Sequence, residues 1–125
     1  MNDLTKAEEE IMQVLWQIEK GFVKDIIEKL PEPKPAYNTV STIVRILEKK
    51  KFVGYNSFGK SHQYFPLVAQ ENYTKHSLNK LAKGYFNGSF KSMVSFFVNQ
   101  EKLSVADLDQ IMNDIKSEED GTNNQ

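Results

Sequence analysis

The sequence predicts a mainly α protein with one small β-hairpin, and three observations carry that expectation. Apolar residues recur at helical spacing in three segments before residue 51. Between about 52 and 66 the pattern switches to alternating and aromatic, and beyond that it returns to helical spacing in three further stretches.

Each element has a local justification. Thr5 followed by Glu8 is a capping box, and Leu4, Ala7, Ile11, Leu15 and Ile18 are spaced for one helical face, so a first helix is expected over about 5–19, ended by Gly21. "VKDIIEKL" places Val23, Ile26, Ile27 and Leu30 on one side of a two-turn helix, stopped by the proline-rich connector "PEPKP". "PAYNTVSTIVRILEKKKFV" carries Val40, Ile43, Val44 and Leu47 at positions i, i+3, i+4 and i+7, which predicts a third helix over about 37–51. "FVGYNSF", "GK" and "SHQYF" then read as two strands around a tight turn, with Pro66 closing the second strand. Helix, short helix, helix and hairpin, in that order, is the arrangement of a winged helix-turn-helix.

The remaining chain reads as helices. Leu78, Leu81, Ala82, Tyr85 and Phe86 form one face, interrupted by "NG" at 87 and 88, and Phe90, Met93, Val94, Phe97 and Val98 form a second. Ser104 and Asp107 form another capping pair, ahead of a face of Val105, Leu108, Ile111, Met112 and Ile115. The expected organisation is a winged-helix domain over 1–68, a helical module over 69–117, and a polar, disordered tail over 118–125. The helical module contains six aromatics, Tyr73, Tyr85, Phe86, Phe90, Phe96 and Phe97. A unit of about 60 residues buries only about 60% of its unfolded surface, too little to cover them alone. A second copy is the simplest cover, with Leu78, Leu81, Tyr85, Phe90, Val94, Phe97, Leu108 and Ile111 at a dimer interface; burial against the first domain is the alternative.

Composition narrows the function. The 125 residues, 39% of them hydrophobic, suit one compact domain or two small modules. Cysteine is absent, which removes disulfides, thiolate chemistry and cysteine-based zinc sites and favours an intracellular location. No apolar run approaches the roughly 20 residues of a membrane span, and "MNDLTKAEEE" does not resemble a signal peptide, so a cytoplasmic protein without membrane insertion is expected. His62 and His76 fall on different elements, and a metal site needs three or four convergent ligands, so no metal or other cofactor is expected. Neither a phosphate loop nor a nucleophile elbow nor an acid–base pair can be recognised, which argues against an enzyme.

The net charge of −1 conceals an asymmetry. From Pro33 to Tyr64 there are six basic residues (Lys34, Arg45, Lys49, Lys50, Lys51 and Lys60) and one acid, Glu48, while "AEEE" and "DLDQIMNDIKSEED" hold acids elsewhere. Sign asymmetry of this kind bears on partners rather than on fold. On a helical wheel Asn38, Ser41, Thr42, Arg45 and Lys49 fall opposite Val40, Val44 and Leu47. Asn and Arg pair with base edges, Thr offers a hydroxyl and a methyl, and Lys reaches phosphate. Any surface helix turns polar residues outward, yet this face has no acid, and small hydroxyl residues are poor choices for a merely solvated helix. Lys60, at the expected turn with Ser61 and His62, is placed to touch DNA backbone. Trp16 is expected to pack between helices.

The runs "LTKAEEEIMQVLW" and "AYNTVSTIVRILEKKKFV", the hairpin ending "QYFPLV", and "SMVSFFVNQEKLSVADLDQIMNDI" together resemble the penicillinase-repressor family of bacteria, the BlaI/MecI type, from about Leu4 to Ile115. The resemblance implies a homodimeric transcriptional repressor, with a winged-helix domain on each subunit binding a half-site and intertwined C-terminal helices joining the two. The family's T-x-x-T pattern matches Thr39 and Thr42, and its basic position matches Arg45. In the best-known members induction occurs by cleavage in the dimerisation helices, typically between Asn and Phe, after a membrane sensor detects β-lactam. The corresponding bond here is Ser95–Phe96, a departure from that pattern. Copper-responsive members carry paired cysteines, and this chain has none.

These readings converge on a double-stranded palindromic operator as partner. Thr39, Thr42 and Arg45 are expected to read bases with help from Asn38 and Ser41, while Lys49, Lys50 and Lys60 hold phosphates. The alternative is a winged-helix module that binds a protein and no DNA.

Overall fold

The computed structural model describes residues 1–101 and 103–123. Its elements are α1 (Lys6–Ile18), α2 (Val23–Lys29), α3 (Tyr37–Lys49), β1 (Val53–Phe58), β2 (Ser61–Pro66), α4 (Gln70–Tyr85), α5 (Phe90–Glu101) and α6 (Val105–Asn123). The chain forms two compact units, Met1–Leu78 and a second beginning at Asn79. No helix among the described residues is long and apolar enough to cross a membrane.

The first unit is a three-helix core closed by the hairpin. The capping box of α1 forms as expected: Thr5 N–H donates to Glu8 Oε1 at 2.9 Å, and Glu8 N–H donates to Thr5 Oγ1 at 3.2 Å. Ile11, Met12 and Leu15 of α1 meet Val23 and Ile26 of α2, Val40, Val44 and Leu47 of α3, and Phe52, Val53 and Tyr64 of the hairpin in one buried cluster. Ala7, expected inside, is exposed, and Glu8 takes the buried place at 3% exposure. A carboxylate is tolerated there because Lys50 Nζ lies 2.9 Å from Glu8 Oε2. Burial raises the carboxyl's pKa, but hydrogen bonds from Lys50 and Thr5, with the Lys50 charge, outweigh it and hold Glu8 below the ordinary value of 4.5.

Two turns differ from expectation. Helix α1 ends with Glu19 in the left-handed region (φ 72°), so Gly21 is not its terminator. Gly21 instead exchanges two backbone hydrogen bonds with Tyr64, at 2.9 and 2.8 Å, adding a bridge to the hairpin. A Cβ at Gly21 would lie 2.7 Å from the Ile18 Cδ1 tip and 3.2 Å from Asp25 Cβ, so a side chain there would have to push both aside. Helix α3 closes two residues before the expected Lys51. Phe52 N–H donates to Leu47 O and Lys51 N–H to Glu48 O, a Schellman motif with Lys51 at φ 65° and Phe52 buried beneath it.

The hairpin pairs Val53 with Pro66 through Phe58 with Ser61, leaving a two-residue turn of Gly59 and Lys60. Gly59 has φ 63°, as the first central position of a type II′ turn requires. The first unit continues past residue 68 into α4, because Tyr73 joins its core. Tyr73 is buried, its ring lies 5.9 Å from Trp16 and 5.8 Å from Phe52, and its hydroxyl donates to Glu9 Oε1 at 2.8 Å. Burial and that carboxylate raise the Tyr73 pKa. Trp16 packs as expected and donates from Nε1 to Val68 O at 2.8 Å.

In the second unit α4 stops before Asn87 and Gly88, both at positive φ, and α6 starts at the expected Ser104–Asp107 capping box. The two capping bonds lower the Asp107 pKa. Leu81, Tyr85, Phe90, Val94, Phe97 and Ile111 are exposed in the single chain, as is Leu78 at the end of the first unit, and Leu108 is half-buried. Helix α6 runs to Asn123, through most of the segment read as a polar tail; residues 124 and 125 lie outside the described residues.

Two stability predictions follow from this packing. Gly21→Ala should cost about 1–3 kcal/mol by overpacking, measured as a lower denaturant midpoint at unchanged slope. Lys50→Met should cost about 1–3 kcal/mol, less than for a fully buried pair because Lys50 retains some solvent contact, whereas Lys49→Met should leave stability near wild type. The sign of the pH effect follows from the depressed Glu8 pKa: the pair's contribution is full above 4.5 and fades as pH falls through the lower folded-state value. Acid titration of wild type and Glu8→Gln, monitored by circular dichroism, should therefore diverge above this range and converge below it.

Candidate nucleic-acid interface

The outer face of α3 follows from its buried stripe. With Val40, Val44 and Leu47 fully inside, the rotation of about 100° per residue turns Asn38, Thr42, Arg45 and Lys49 to solvent, and all four are exposed. Thr39 is exposed on one shoulder beside Ile46, an apolar residue that the sequence reading assigned to neither face. Ser41 is half-buried on the other shoulder, toward the hairpin. Thr42 Oγ1 donates to Asn38 O at 2.9 Å, so its proton stays on the helix while its methyl and lone pairs remain available.

Two of the six basic residues behind the local charge argument are engaged elsewhere. Lys50, expected at phosphate, lies one step past Lys49 on the wheel and turns toward α1, where its ammonium pairs with Glu8 and also donates to Asp3 O at 3.3 Å. Lys34 Nζ donates to Glu28 O at 2.8 Å and to Leu30 O, closing the end of α2. Among the described residues Arg45, Lys49, Lys51 and Lys60 have no carboxylate within ion-pair distance. Lys60 stands exposed at the hairpin turn, the expected position.

Helix α3 and the hairpin enclose a cleft. Tyr37, Ser41, Arg45 and Glu48 line one side, while Tyr55, Lys60 and His62 line the other. Tyr55 sits opposite Tyr64 in the ladder, and its ring stacks diagonally on His62, with centroids 4.0 Å apart and planes at 9°. At the far end Phe22 meets Phe58 edge-on at 5.7 Å. Burial raises the Tyr64 pKa, the Glu48 charge adds to that and Arg45 opposes it, so the phenol is protonated at neutral pH. Sequence reasoning missed Lys24, Tyr37 and Tyr55 here. The Tyr37, Ser41, Arg45, Glu48 row was legible as one helical stripe, whereas Lys24 and Tyr55 come from other elements and left no local signal.

Ser95 and Phe96 lie in the middle of α5, and the Phe96 ring is 5.7 Å from Phe86. Among the described residues no group of three or more His, Cys, Asp or Glu could hold a metal ion. His76 meets Asp3 Oδ1, 73 residues away in sequence, at 2.9 Å.

Comparison with known proteins gives a consistent result. The chain is 30% identical over 116 residues to the methicillin resistance regulatory protein MecI of Staphylococcus aureus (strain N315), covering 89% of this chain and 91% of MecI. It is 24% identical over 109 residues to the penicillinase repressor of Bacillus licheniformis, covering 86% and 85%. The solution structure of the DNA binding domain of the repressor BlaI shares the fold, with a TM-score of 0.50 and 24% identity over 57% of this chain and 88% of that domain. The penicillinase repressor family model matches residues 4–117, through the cleft, α3, the hairpin and on into α6, and the chain therefore belongs to the penicillinase repressor family.

Proposed function

We propose that the protein is a cytoplasmic, homodimeric transcriptional repressor that binds a palindromic operator. The observation that carries this reading is the exposed face of α3, where Asn38, Thr42, Arg45 and Lys49 stand together without an ion-pair partner, next to a hairpin tipped by Lys60. A helix of this kind enters the major groove, with Thr39, Thr42 and Arg45 at base edges and Asn38 and Ser41 beside them. Arginine pairs bidentately with guanine, and the Thr42 methyl and Ile46 suit thymine methyl groups. Lys49 and Lys60 neutralise phosphates; Lys50 keeps its structural ion pair with Glu8. Relatives named as a penicillinase repressor and a resistance regulator support the role.

Dimerisation rests on unburied apolar surface. Tyr85 is 79% exposed, and Phe90, Val94, Phe97 and Ile111 are close to half exposed, on a unit too small to bury them by itself. A second copy covers these helices, and its two-fold axis sets half-sites about one helical turn apart. Cleavage at Ser95–Phe96 by a protease under a membrane sensor would act on this same module, after local opening of α5 around the bond.

Arg45→Ala should weaken binding to the operator by about 1–3 kcal/mol and flatten base preference, while Lys60→Ala should weaken all sequences alike and lower the salt slope by about one. Mobility shifts on operator and random duplexes at two salt concentrations check both; equal losses for the two mutants would reassign the roles, and no salt-sensitive shift at all would favour a protein-binding module. Phe97→Asp should give monomers, and a sedimentation coefficient unchanged from the wild-type dimer would place the interface elsewhere.

A further inference from the structure

The cleft between α3 and the hairpin has a buried floor. It encloses about 530 Å³, within the range of small-molecule sites, and its floor includes the buried residues Val23 and Tyr64. Tyr64 is 4% exposed and held by its backbone bridge to Gly21, yet among the described residues its hydroxyl has no hydrogen-bond partner. Tyr64 lines the cleft, and its hydroxyl retains some solvent contact. A donor and acceptor is thus fixed in place and available to an occupant.

The walls specify what that occupant is. The Tyr55–His62 stack presents a flat aromatic surface, Tyr37 stands across the cleft from it, and Phe22 and Phe58 close one end. Lys24, Arg45 and Lys60 bring three cations to the lining against the single carboxylate of Glu48. Aromatic walls select a planar ring, and the charge balance selects an anionic group on it. We propose that this cleft binds a small aromatic anion, one planar ring bearing a phosphate or carboxylate, with the Tyr64 hydroxyl at the cleft floor as its hydrogen-bonding partner. Because Arg45 and Ser41 belong both to the cleft and to the α3 face, the occupant and duplex DNA exclude one another; this consequence rests on the DNA-binding reading, whereas the site itself does not.

The test uses the full chain, isotopically labelled, without DNA. Phenyl phosphate should shift the amides of Ser41, Arg45, His62 and Tyr64 saturably, while inorganic phosphate and benzyl alcohol at the same concentration should bind at least about fivefold more weakly, each lacking one half of the recognised chemistry. Tyr64→Phe removes a hydroxyl that the protein itself does not use, so it should keep the wild-type melting temperature and lose about fivefold in phenyl phosphate affinity. Inorganic phosphate binding as well as phenyl phosphate, or Tyr64→Phe binding as well as wild type, overturns the site. Duplex DNA added last should reverse the shifts, and simultaneous occupancy overturns the exclusion. A chain that binds no DNA removes the regulatory consequence alone, because the phenyl phosphate titration is read independently.

Discussion

Val40, Val44 and Leu47 have no solvent-exposed surface, and their burial sets the rotation of α3 about its own axis. Everything distinctive about the first unit is referred to that rotation. It directs Asn38, Thr42, Arg45 and Lys49 outward, Ser41 and Glu48 toward the hairpin, and Lys50 toward α1. Close packing makes this a discrete choice: turning α3 by one residue would expose Val40, Val44 and Leu47 and bring either Ser41, Arg45 and Glu48 or Thr39, Ile43 and Ile46 inside in their place, the first set burying charge at a cost of several kcal/mol. The outward polar face of α3 is therefore a by-product of the core, held rigid by it.

The hairpin is placed by a second constraint, the paired hydrogen bonds between Gly21 and Tyr64. These tie the loop after α1 to β2, so the base of the hairpin packs on the core while its tip stays exposed, and an isolated two-stranded hairpin would be marginal in water. The same bridge seats Tyr64 at the floor of the cleft and leaves Phe22 against Phe58 at its end. One glycine crowded by Ile18 and Asp25 thus links strand pairing, hairpin orientation and the shape of the cleft.

Charge is used sparingly. Lysines 34 and 50 satisfy helix carbonyls and a buried carboxylate, and the cations left on the α3 and hairpin surface are those without such partners. The second unit shows the opposite economy, with aromatic and aliphatic side chains left in solvent along α4, α5 and α6.

The amino-acid sequence by itself determined the order and type of elements, both capping boxes, the two-residue hairpin turn and the outward face of α3. These are legible because they depend on residues within about four positions of each other, through hydrogen bonds and helical or strand periodicity. Tertiary structure alone decided that Glu8 is buried and Ala7 exposed, that Lys50 pairs with Glu8 instead of standing free on the outer face, that Gly21 bridges to the hairpin, and that Tyr73 belongs to the first unit. Each of those outcomes depends on a partner far along the chain: Lys50 and Glu8 are 42 residues apart, and Tyr73 and Glu9 are 64. No local pattern records such a partner, because only the packed core brings the two groups within reach and removes the water that would otherwise satisfy them.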